Sequence, residues 1–580
     1  MAYVIINDKH LEAIADALRK VGGKETYKPR EMAPDIERLS GGTGFNGLLG
    51  LYFKGVDVPG AAFELMIEDC INEDGTLFLP ENMWGGKTIK GDIVIPYGII
   101  EIPNNYFKDV EGITDIDFPL GLTTIGTGAF RNAINGPNDT ITLGLDVTNI
   151  GQYAFADNTL KVFRTSENEV AIDDYAFQNI ILEKLELNGE VSIGNNAFQN
   201  ASINEIEING TVSIGEEAFA HSSTTSADTT ALKKITINGE ITSLGSYAFE
   251  NNTALTDVIG ELSTIPSGLF CRCNSLENVT LSDDITSIGD EAFAGTAFDN
   301  IVIPANVITI GAHAFESCGK PANSDNWYPH TTVTFNDKLQ NIGESAFQRC
   351  GPLYEITLPE SLQTIGVSAF QECGLYRINI PGGVKTISAY AFYNCPLEKV
   401  TLNEGLKVIK DYAFAYTGTS SYSVKCPSTL KRIGSNAFAN SRLYYISLNE
   451  GLETIEDFAF SGTYMNGIGF PSSLESLNTS ILNDSDDTPL SVLEFNLSPN
   501  HQLRLSGSPI RMRDPYNGTN KITFKGQNGQ IPTSSTNYLF VHPSVNNVNT
   551  VISVPWSQSE NPQGFPWGAT SATIKYNNGL

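Results

Sequence analysis

Short apolar strands alternate with polar turns along most of the chain, and this pattern recurs about every 22 residues. Segments such as "KITINGEI" (residues 234–241) and "RINIPGGV" (377–384) alternate apolar and polar positions and contain Gly or Pro where they end. This alternation predicts half-buried strands. Between two such strands stands a Phe, usually preceded by Ala, with an Ile or Leu five residues before it, as in "SIGNNAF". These Ala-Phe anchors are Phe130, Phe155, Phe177, Phe198, Phe219, Phe249, Phe293, Phe315, Phe347, Phe370, Phe392, Phe414, Phe438 and Phe460.

The spacing of the anchors predicts a stack of similar coils. Phe107 and Phe270 fit the series without the Ala, which gives about 16 coils of about 22 residues between residues 101 and 475. One coil of this length cannot bury its own apolar side chains, whereas a stack lets each Ile, Leu and Phe cover those of its neighbour. The expected fold is therefore mainly β, a solenoid with a continuous core.

One coil, "LPESLQTIGVSAFQECGLYRINIP" (358–381), resembles the BspA-type leucine-rich repeat of bacterial surface proteins. That pattern has an Ile-Gly, an Ala-Phe, a Cys or Asn, and a Leu that leads into a strand ended by Pro. The resemblance implies a right-handed solenoid and a role in binding or adhesion. It implies no enzymatic activity.

Five cysteines follow anchor phenylalanines by three residues; they are Cys273, Cys318, Cys350, Cys373 and Cys395. Other coils have Asn, Ala, Ser or Thr there, which indicates a small, buried position. Stacked cysteines could reach disulfide geometry, but we expect buried free thiols. Cys271 and Cys273 form a CxC pair without a matching His pair, so no zinc site is predicted.

Residues 1–42 differ from the repeat and predict a short helical module. Leu11, Ile14 and Leu18 have helical spacing, and a second short helix carries Met32 and Ile36. The sequence "IADALRK" followed by Gly and "YKPREM" resembles the N-terminal module of phage and prophage tail and baseplate proteins. The resemblance implies docking through these apolar residues onto other tail or baseplate proteins. Residues 43–100, rich in Gly and alternating, predict a β-rich connector or cap.

Residues 476–580 lose the Ala-Phe anchor and predict a β-rich C-terminal domain. It could be a cap, since the last coil would otherwise expose strand edges and apolar side chains, or a binding domain. The final stretch, with "VPW" and "PWGAT", resembles the closing segment of prophage tail-associated repeat proteins. Trp556 and Trp567 carry this resemblance and are candidates for ligand contact.

Two long coils are the other candidates for ligand contact. Insertions follow Phe219 and Phe315, and the second holds Trp327, Tyr328 and His330. Exposed aromatic side chains offer contact area at low entropic cost, although Trp327 could instead fold back as a local plug.

Composition narrows the possible functions. The net charge of −30 opposes nucleic-acid binding, which requires basic side chains against phosphates. The start of the chain lacks the apolar core of a signal peptide, and no apolar run is long enough to span a membrane. We find no catalytic motif among the six His or elsewhere, and we expect no enzyme activity, no metal site and no cofactor. The acidic turn "DSDD" (484–487) is a weak calcium candidate.

The resemblances of the two ends imply a phage or prophage tail, baseplate or fibre protein. It would be made in the host cytoplasm, be present in several copies as a homo-oligomer on the virion, and bind a glycan or protein of the bacterial surface. The alternatives are a BspA-like cell-surface adhesin and a purely structural tail decoration protein.

Overall fold

The computed structural model of the chain consists of parallel β-coils. It describes residues 88–95, 99–135, 140–222, 232–319, 332–351, 353–482, 491–506, 510–511, 520–526, 531–534, 540–541, 550–563, 565–566 and 572–576. The predicted helical module (1–42) and most of the connector (43–100) lie outside these residues. Two compact units are present. The N-terminal unit comprises the described residues up to Leu262 together with Cys273–Thr280, and the C-terminal unit comprises Ser263–Arg272 and the described residues from Leu281 onward.

The N-terminal unit contains two seven-stranded sheets and one strand pair. Its short-strand sheet is formed by Glu101–Ile102, Thr124–Ile125, Asn149–Ile150, Val170–Ile172, Glu190–Ile193, Thr211–Ile214 and Glu240–Leu244. Its long-strand sheet is formed by Thr140–Thr142, Thr159–Arg164, Ile181–Leu187, Ser202–Ile208, Lys234–Ile237, Asp257–Leu262 and Asn278–Leu281. Thr88–Val94 pairs in parallel with Glu111–Asp117. Each coil thus gives one strand to each sheet.

The C-terminal unit repeats this arrangement. An eight-stranded short-strand sheet is formed by Ser287–Ile288, Thr309–Ile310, Asn341–Ile342, Thr364–Ile365, Thr386–Ile387, Val408–Ile409, Arg432–Ile433 and Thr454–Ile455. Three parallel pairs form the long-strand side, namely Asn300–Val302 with Thr332–Thr334, Arg377–Ile380 with Lys399–Leu402, and Tyr422–Lys425 with Leu443–Ser447. The helices among the described residues are two 3-10 turns, Thr479–Leu482 and Gln558–Glu560.

Parallel coils continue beyond residue 475, where the sequence predicts a separate cap or binding domain. A five-stranded sheet is formed by Gly467–Phe470, Val492–Asn496, Asn520–Lys525, Thr550–Ser553 and Thr573–Lys575. Beside it lie Ser476–Asn478, Arg504–Ser506 and Thr533–Ser534, and the pair Ile510–Arg511 and Phe540–Val541. Residue 475 therefore marks a change of anchor within one stack, from Ala-Phe in the turn to an aromatic residue near the end of the long strand.

Stacked phenylalanine rings form the core of both units. Phe370 is fully buried, and its ring centroid lies 5.4 Å from that of Phe347 and 5.6 Å from that of Phe392, with the rings nearly parallel. Phe155 and Phe177 stack at 5.2 Å in the N-terminal unit. Each ring thus covers the ring of the adjacent coil, which confirms that the repeat arises from mutual burial.

The turn that carries each anchor has an unusual backbone. The residues two before and two after the Phe have positive φ in nearly every coil, for example Tyr390 at 58° and Asn394 at 56°. The backbone N–H groups of Tyr390, Phe392 and Asn394 donate to carbonyl groups of the next coil. Those of the intervening residues close turns within their own coil, as in Tyr393 N to Tyr390 O at 3.0 Å. Alternation of the two backbone conformations therefore satisfies the buried polar groups of the turn.

The position three residues after the Phe supplies a hydrogen-bond donor. The thiols of Cys350, Cys373 and Cys395 donate to the carbonyl oxygen of the anchor in the preceding coil, at 2.8, 2.7 and 3.0 Å. In the N-terminal unit Asn158 makes the corresponding bonds to Phe130 and Phe155. The sequence correctly predicts buried free thiols here, but not their role as donors.

Candidate binding surface

Four tyrosines of the C-terminal unit form a continuous aromatic surface on the Ala-Phe turns of two adjacent coils. Tyr390 stacks on Tyr412 with ring centroids 4.9 Å apart and planes 4° from parallel. Tyr393 contacts Tyr390 at 5.6 Å and Tyr416 at 5.3 Å. We call these four residues the tyrosine patch. Tyr416 is exposed and the other three are half-buried. Their rings are therefore accessible to a partner, and their contacts with one another hold them in place.

The backbone of the turn fixes where these rings point. Tyr390, Tyr412 and Tyr416 all have positive φ, between 57° and 59°. Left-handed backbone is unfavourable for a bulky side chain, and Gly, Asn and Asp are the residues that usually adopt it. Some coils follow this preference, with Asn196, Asn436 and Asn440 at the equivalent positions, but others have Glu217, His313 or Ser345 there, also with positive φ. The repeat therefore imposes left-handed backbone at these positions whatever residue stands there, and this backbone sets the direction of the tyrosine side chains.

The phenol groups of Tyr390 and Tyr393 stay neutral at physiological pH. Partial burial raises the pKa of Tyr390, and the neighbouring Tyr412 phenol and the Asp411 carboxylate raise it further. Partial burial also raises the pKa of Tyr393, with Tyr416 as the next cause. Neutral phenols present an O–H that can donate and accept hydrogen bonds beside an apolar ring.

The N-terminal unit carries a smaller surface of the same kind. Tyr153 and Tyr175, both with positive φ, stack with ring centroids 5.4 Å apart. The guanidinium carbon of Arg131 lies 5.4 Å from the centroid of the Tyr153 ring, within the range of a cation–π contact. Arg131 also donates to Asp157 at 2.8 Å, so its position is fixed from two sides.

Most of the sequence-predicted contact residues fall outside the described part of the chain. These are the ligand candidates Trp327, Tyr328, His330 and Trp567 and the docking candidates Leu11, Ile14, Leu18, Met32 and Ile36. Trp556 is described, and it is 5% exposed. Its indole packs 5.4 Å from the Phe524 ring and donates to Asn561 Oδ1 at 3.1 Å. Trp556 therefore continues the aromatic core of the last coils, and its ring is not available for the ligand contact predicted for it.

Sequence reasoning missed the tyrosine patch, although a signal was present. The coils "SAYAFYNC" and "DYAFAYTG" place Tyr two residues before the anchor and one or two residues after it. A search for the recurring apolar positions overlooks these tyrosines, because they lie between the positions that define the repeat. Only the structure shows that these tyrosines contact one another and that three of them have positive φ.

Neither metal ligation nor membrane crossing has, among the residues with described structure, the side chains or helices it would need. Among them, no group of three or more His, Cys, Asp or Glu has the arrangement of a metal site. No helix within the described ranges has the length and apolar character of a membrane span. Burial raises the pKa of the Cys318 thiol to about 11 and that of Cys395 to about 12, so these thiols are unreactive at neutral pH.

Comparison with solved structures gives leucine-rich repeat proteins of several bacteria. A protein from Bacteroides ovatus is 19% identical, with a TM-score of 0.42, over 72% of this chain and 97% of its own. One from Eubacterium ventriosum is 21% identical, with a TM-score of 0.30, over 65% and 90% of the two chains. A leucine-rich cell surface protein from Faecalibacterium prausnitzii is 20% identical, with a TM-score of 0.27, over 73% and 92%. No curated protein matches the chain in sequence.

The family comparison matches the coils directly. The model of the BspA type leucine rich repeat region matches residues 82–200, 191–321, 325–417 and 364–488, in six copies. These ranges contain all the Ala-Phe anchors predicted from the sequence. They stop at residue 488, so the last parallel coils lie mostly beyond the family pattern. On this match, the chain belongs to the BspA-type leucine-rich repeat family.

Proposed function

We propose that this chain is a non-catalytic binding protein whose BspA-type coils present the tyrosine patch to a glycan or protein of the bacterial surface. The observation that carries the proposal is the contact among four accessible tyrosine rings on two adjacent coils, three of which, Tyr390, Tyr412 and Tyr416, also stand in left-handed backbone. Such placement costs on the order of 1 kcal/mol or more for each residue. Burial does not offset the cost fully, because Tyr416 is 48% exposed.

The chemistry of the patch suits a macromolecular partner. Stacked tyrosines give a rigid, amphipathic contact surface, and Tyr is enriched among the residues that dominate binding energy at interfaces. A sugar ring could stack on the phenol faces, and a protein surface could bury them. The chain as a whole has a net charge of −30, which favours neutral or basic partners.

An adsorption assay tests the proposal. The purified chain is labelled and added to a panel of bacterial cells and isolated walls, beside a triple variant, Tyr390→Asn, Tyr412→Asn and Tyr416→Asn. Asn occupies these turn positions in other coils, so the variant should fold. We expect adsorption to weaken at least about tenfold.

The matched control is Ser368→Asn. Ser368 has the same place in the turn of a neighbouring coil and a φ of 55°, but it carries no aromatic ring. This variant should adsorb like the unmodified chain. Adsorption that is equal for the triple variant and the control would contradict a binding role for the patch.

The tail location is a separate part of the proposal. It rests on the resemblance of residues 1–42 and of the C-terminal stretch to phage and prophage tail proteins, and it includes docking to baseplate proteins and several copies on each virion. Immunogold labelling with an antibody to residues 101–475 tests it on induced cultures. Label at tail tips is the expected result. Label on uninduced cell walls, with none on particles, would instead identify a BspA-like adhesin.

A further inference from the structure

A second surface lies on the long-strand side of the C-terminal unit, where a bulge exposes two consecutive tyrosines. Strand Leu443–Ser447 pairs with Tyr422–Lys425, and the register shifts by one residue between the pairs Tyr422↔Leu443 and Ser423↔Tyr445. Tyr444 is the extra residue. A bulge turns two successive side chains to one face, and Tyr444 and Tyr445 are 51% and 53% exposed.

The next strand leaves an open space beside these rings. Strand Gly467–Phe470 alternates glycine with buried Ile468 and Phe470, so its outward face carries no side chain. A Cβ added to Gly469 would meet nothing nearer than Glu494 at 3.8 Å. The result is a cleft of about 470 Å³, lined by Tyr444, Tyr445, both glycines and Glu494. Its volume lies within the range of small-molecule sites, about 300–1,000 Å³.

Carboxylate and amide groups form the rim of the cleft, and internal hydrogen bonds hold them. Glu494 accepts from Lys525 Nζ at 2.8 Å. Glu450 accepts from the backbone N–H and hydroxyl of Ser472 at 3.0 and 2.8 Å. Asn496 donates to the other oxygen of Glu450 at 3.4 Å. A carboxylate has about four lone-pair sites, so each glutamate retains capacity to accept hydrogen bonds from a ligand.

From this arrangement we propose that the cleft binds a ring of a neutral oligosaccharide. The sugar ring lies over the glycine strand with a C–H face against Tyr445, because the negative face of an aromatic ring attracts these hydrogens. Its hydroxyl groups donate to Glu494 and Glu450. Acidic sugars such as sialic and uronic acids are disfavoured, since their carboxylates would lie beside two glutamates.

The cleft is a second site, separate from the tyrosine patch. The cleft residues lie between 444 and 496 and share none of the four patch residues. Either site could bind without the other, so their failures can be told apart by variants.

Binding to a printed array of oligosaccharides tests the cleft. The array carries neutral chains of glucose, galactose, mannose and N-acetylglucosamine beside sialylated and uronic-acid chains, and the full chain is the analyte. A neutral chain that binds is then titrated by calorimetry. We expect at least one neutral binder and none among the acidic chains. Absence of any neutral binder would overturn the proposal.

Two variants assign the binding to the cleft. Gly469→Val fills the space with a residue that suits a strand. Tyr445→Ser removes the stacking ring and introduces the residue type that stands at the paired position, Ser423. Each should lower the affinity for the sugar at least about tenfold.

The control is Thr401→Val on the outward side of strand Lys399–Leu402, which adds a similar side chain outside the cleft. The triple variant of the tyrosine patch is the second control. Both should bind the sugar unchanged. Undiminished binding by Gly469→Val and Tyr445→Ser, with circular dichroism spectra equal to that of the unmodified chain, would place the sugar elsewhere and overturn the proposal.

Discussion

Asn158 offers the sharpest test of how the coils are held together. Its side chain is 1% exposed and makes four hydrogen bonds. Oδ1 accepts from the backbone N–H groups of Ala133 and Ile134, both at 2.8 Å. Nδ2 donates to the carbonyl oxygens of Phe130 and Phe155 at 2.8 and 2.9 Å. The amide thus takes the place of a backbone peptide between two coils.

Replacement by Ala should open this part of the stack. Each lost hydrogen bond to a buried group costs about 1 kcal/mol or more, so Asn158→Ala should cost about 4 kcal/mol. The effect should be local, because coils contact mainly their neighbours. At about tenfold per 1.4 kcal/mol, the local opening equilibrium should rise about a thousandfold.

Hydrogen exchange followed by mass spectrometry measures this opening. Peptides within residues 125–160 should exchange far faster in Asn158→Ala, whereas peptides within 430–460 should not change. Asn158→Asp should be at least as damaging at neutral pH, since a carboxylate oxygen would face two carbonyls. Asn394→Asp, at an exposed turn position, is the matched control and should change stability by less than about 0.5 kcal/mol. Unchanged exchange near residue 158 would show that the Asn158 side chain does not hold the adjacent coils together.

Three further predictions concern the core, the thiols and the patch. Phe370→Ala should lower the free energy of unfolding by about 3–5 kcal/mol, measured by urea titration, because the ring is fully buried between two others. Burial raises the pKa of Cys395 to about 12, whereas an unfolded thiol ionises near 8.5. The free energy of unfolding should therefore fall as pH rises from about 8.5 to 12. A thiol reagent at pH 8 should react with Cys395 only as fast as the chain opens. Tyr390→Asn with Tyr412→Asn should leave the free energy of unfolding within about 2 kcal/mol of the unmodified value. The loss of ring stacking, about 0.5–1.5 kcal/mol, is offset because Asn adopts left-handed backbone more easily than Tyr. A larger loss in urea titration would show that the rings stabilise the fold.

The repeat could be predicted because burial alone dictates it. Apolar residues at fixed intervals have one physical solution when each coil is too short to bury itself, and Phe370 between Phe347 and Phe392 realises it. The last coils were harder to recognise because their anchor changes. Phe470, Phe495 and Phe524 stack at 5.2 and 4.9 Å, but they stand near the ends of long strands at wider intervals, and no Ala precedes them.

The candidate surfaces could not be predicted from pattern, for a different physical reason. Positive φ at Tyr390 and Tyr412 is imposed by hydrogen bonds between coils, against the preference of the residue itself. The cleft depends on a bulge at Tyr444, and a single extra residue in a strand is hard to recognise from the sequence pattern. In both cases tertiary contacts override local propensity.

Hydroxyl-radical footprinting of the chain bound to bacterial cell walls would test the central claim most directly. We expect Tyr390, Tyr393, Tyr412 and Tyr416 to become protected on binding, while Tyr354, which is 44% exposed elsewhere on the same unit, keeps its reactivity. A bound chain whose four patch tyrosines react as fast as in the free chain would contradict it.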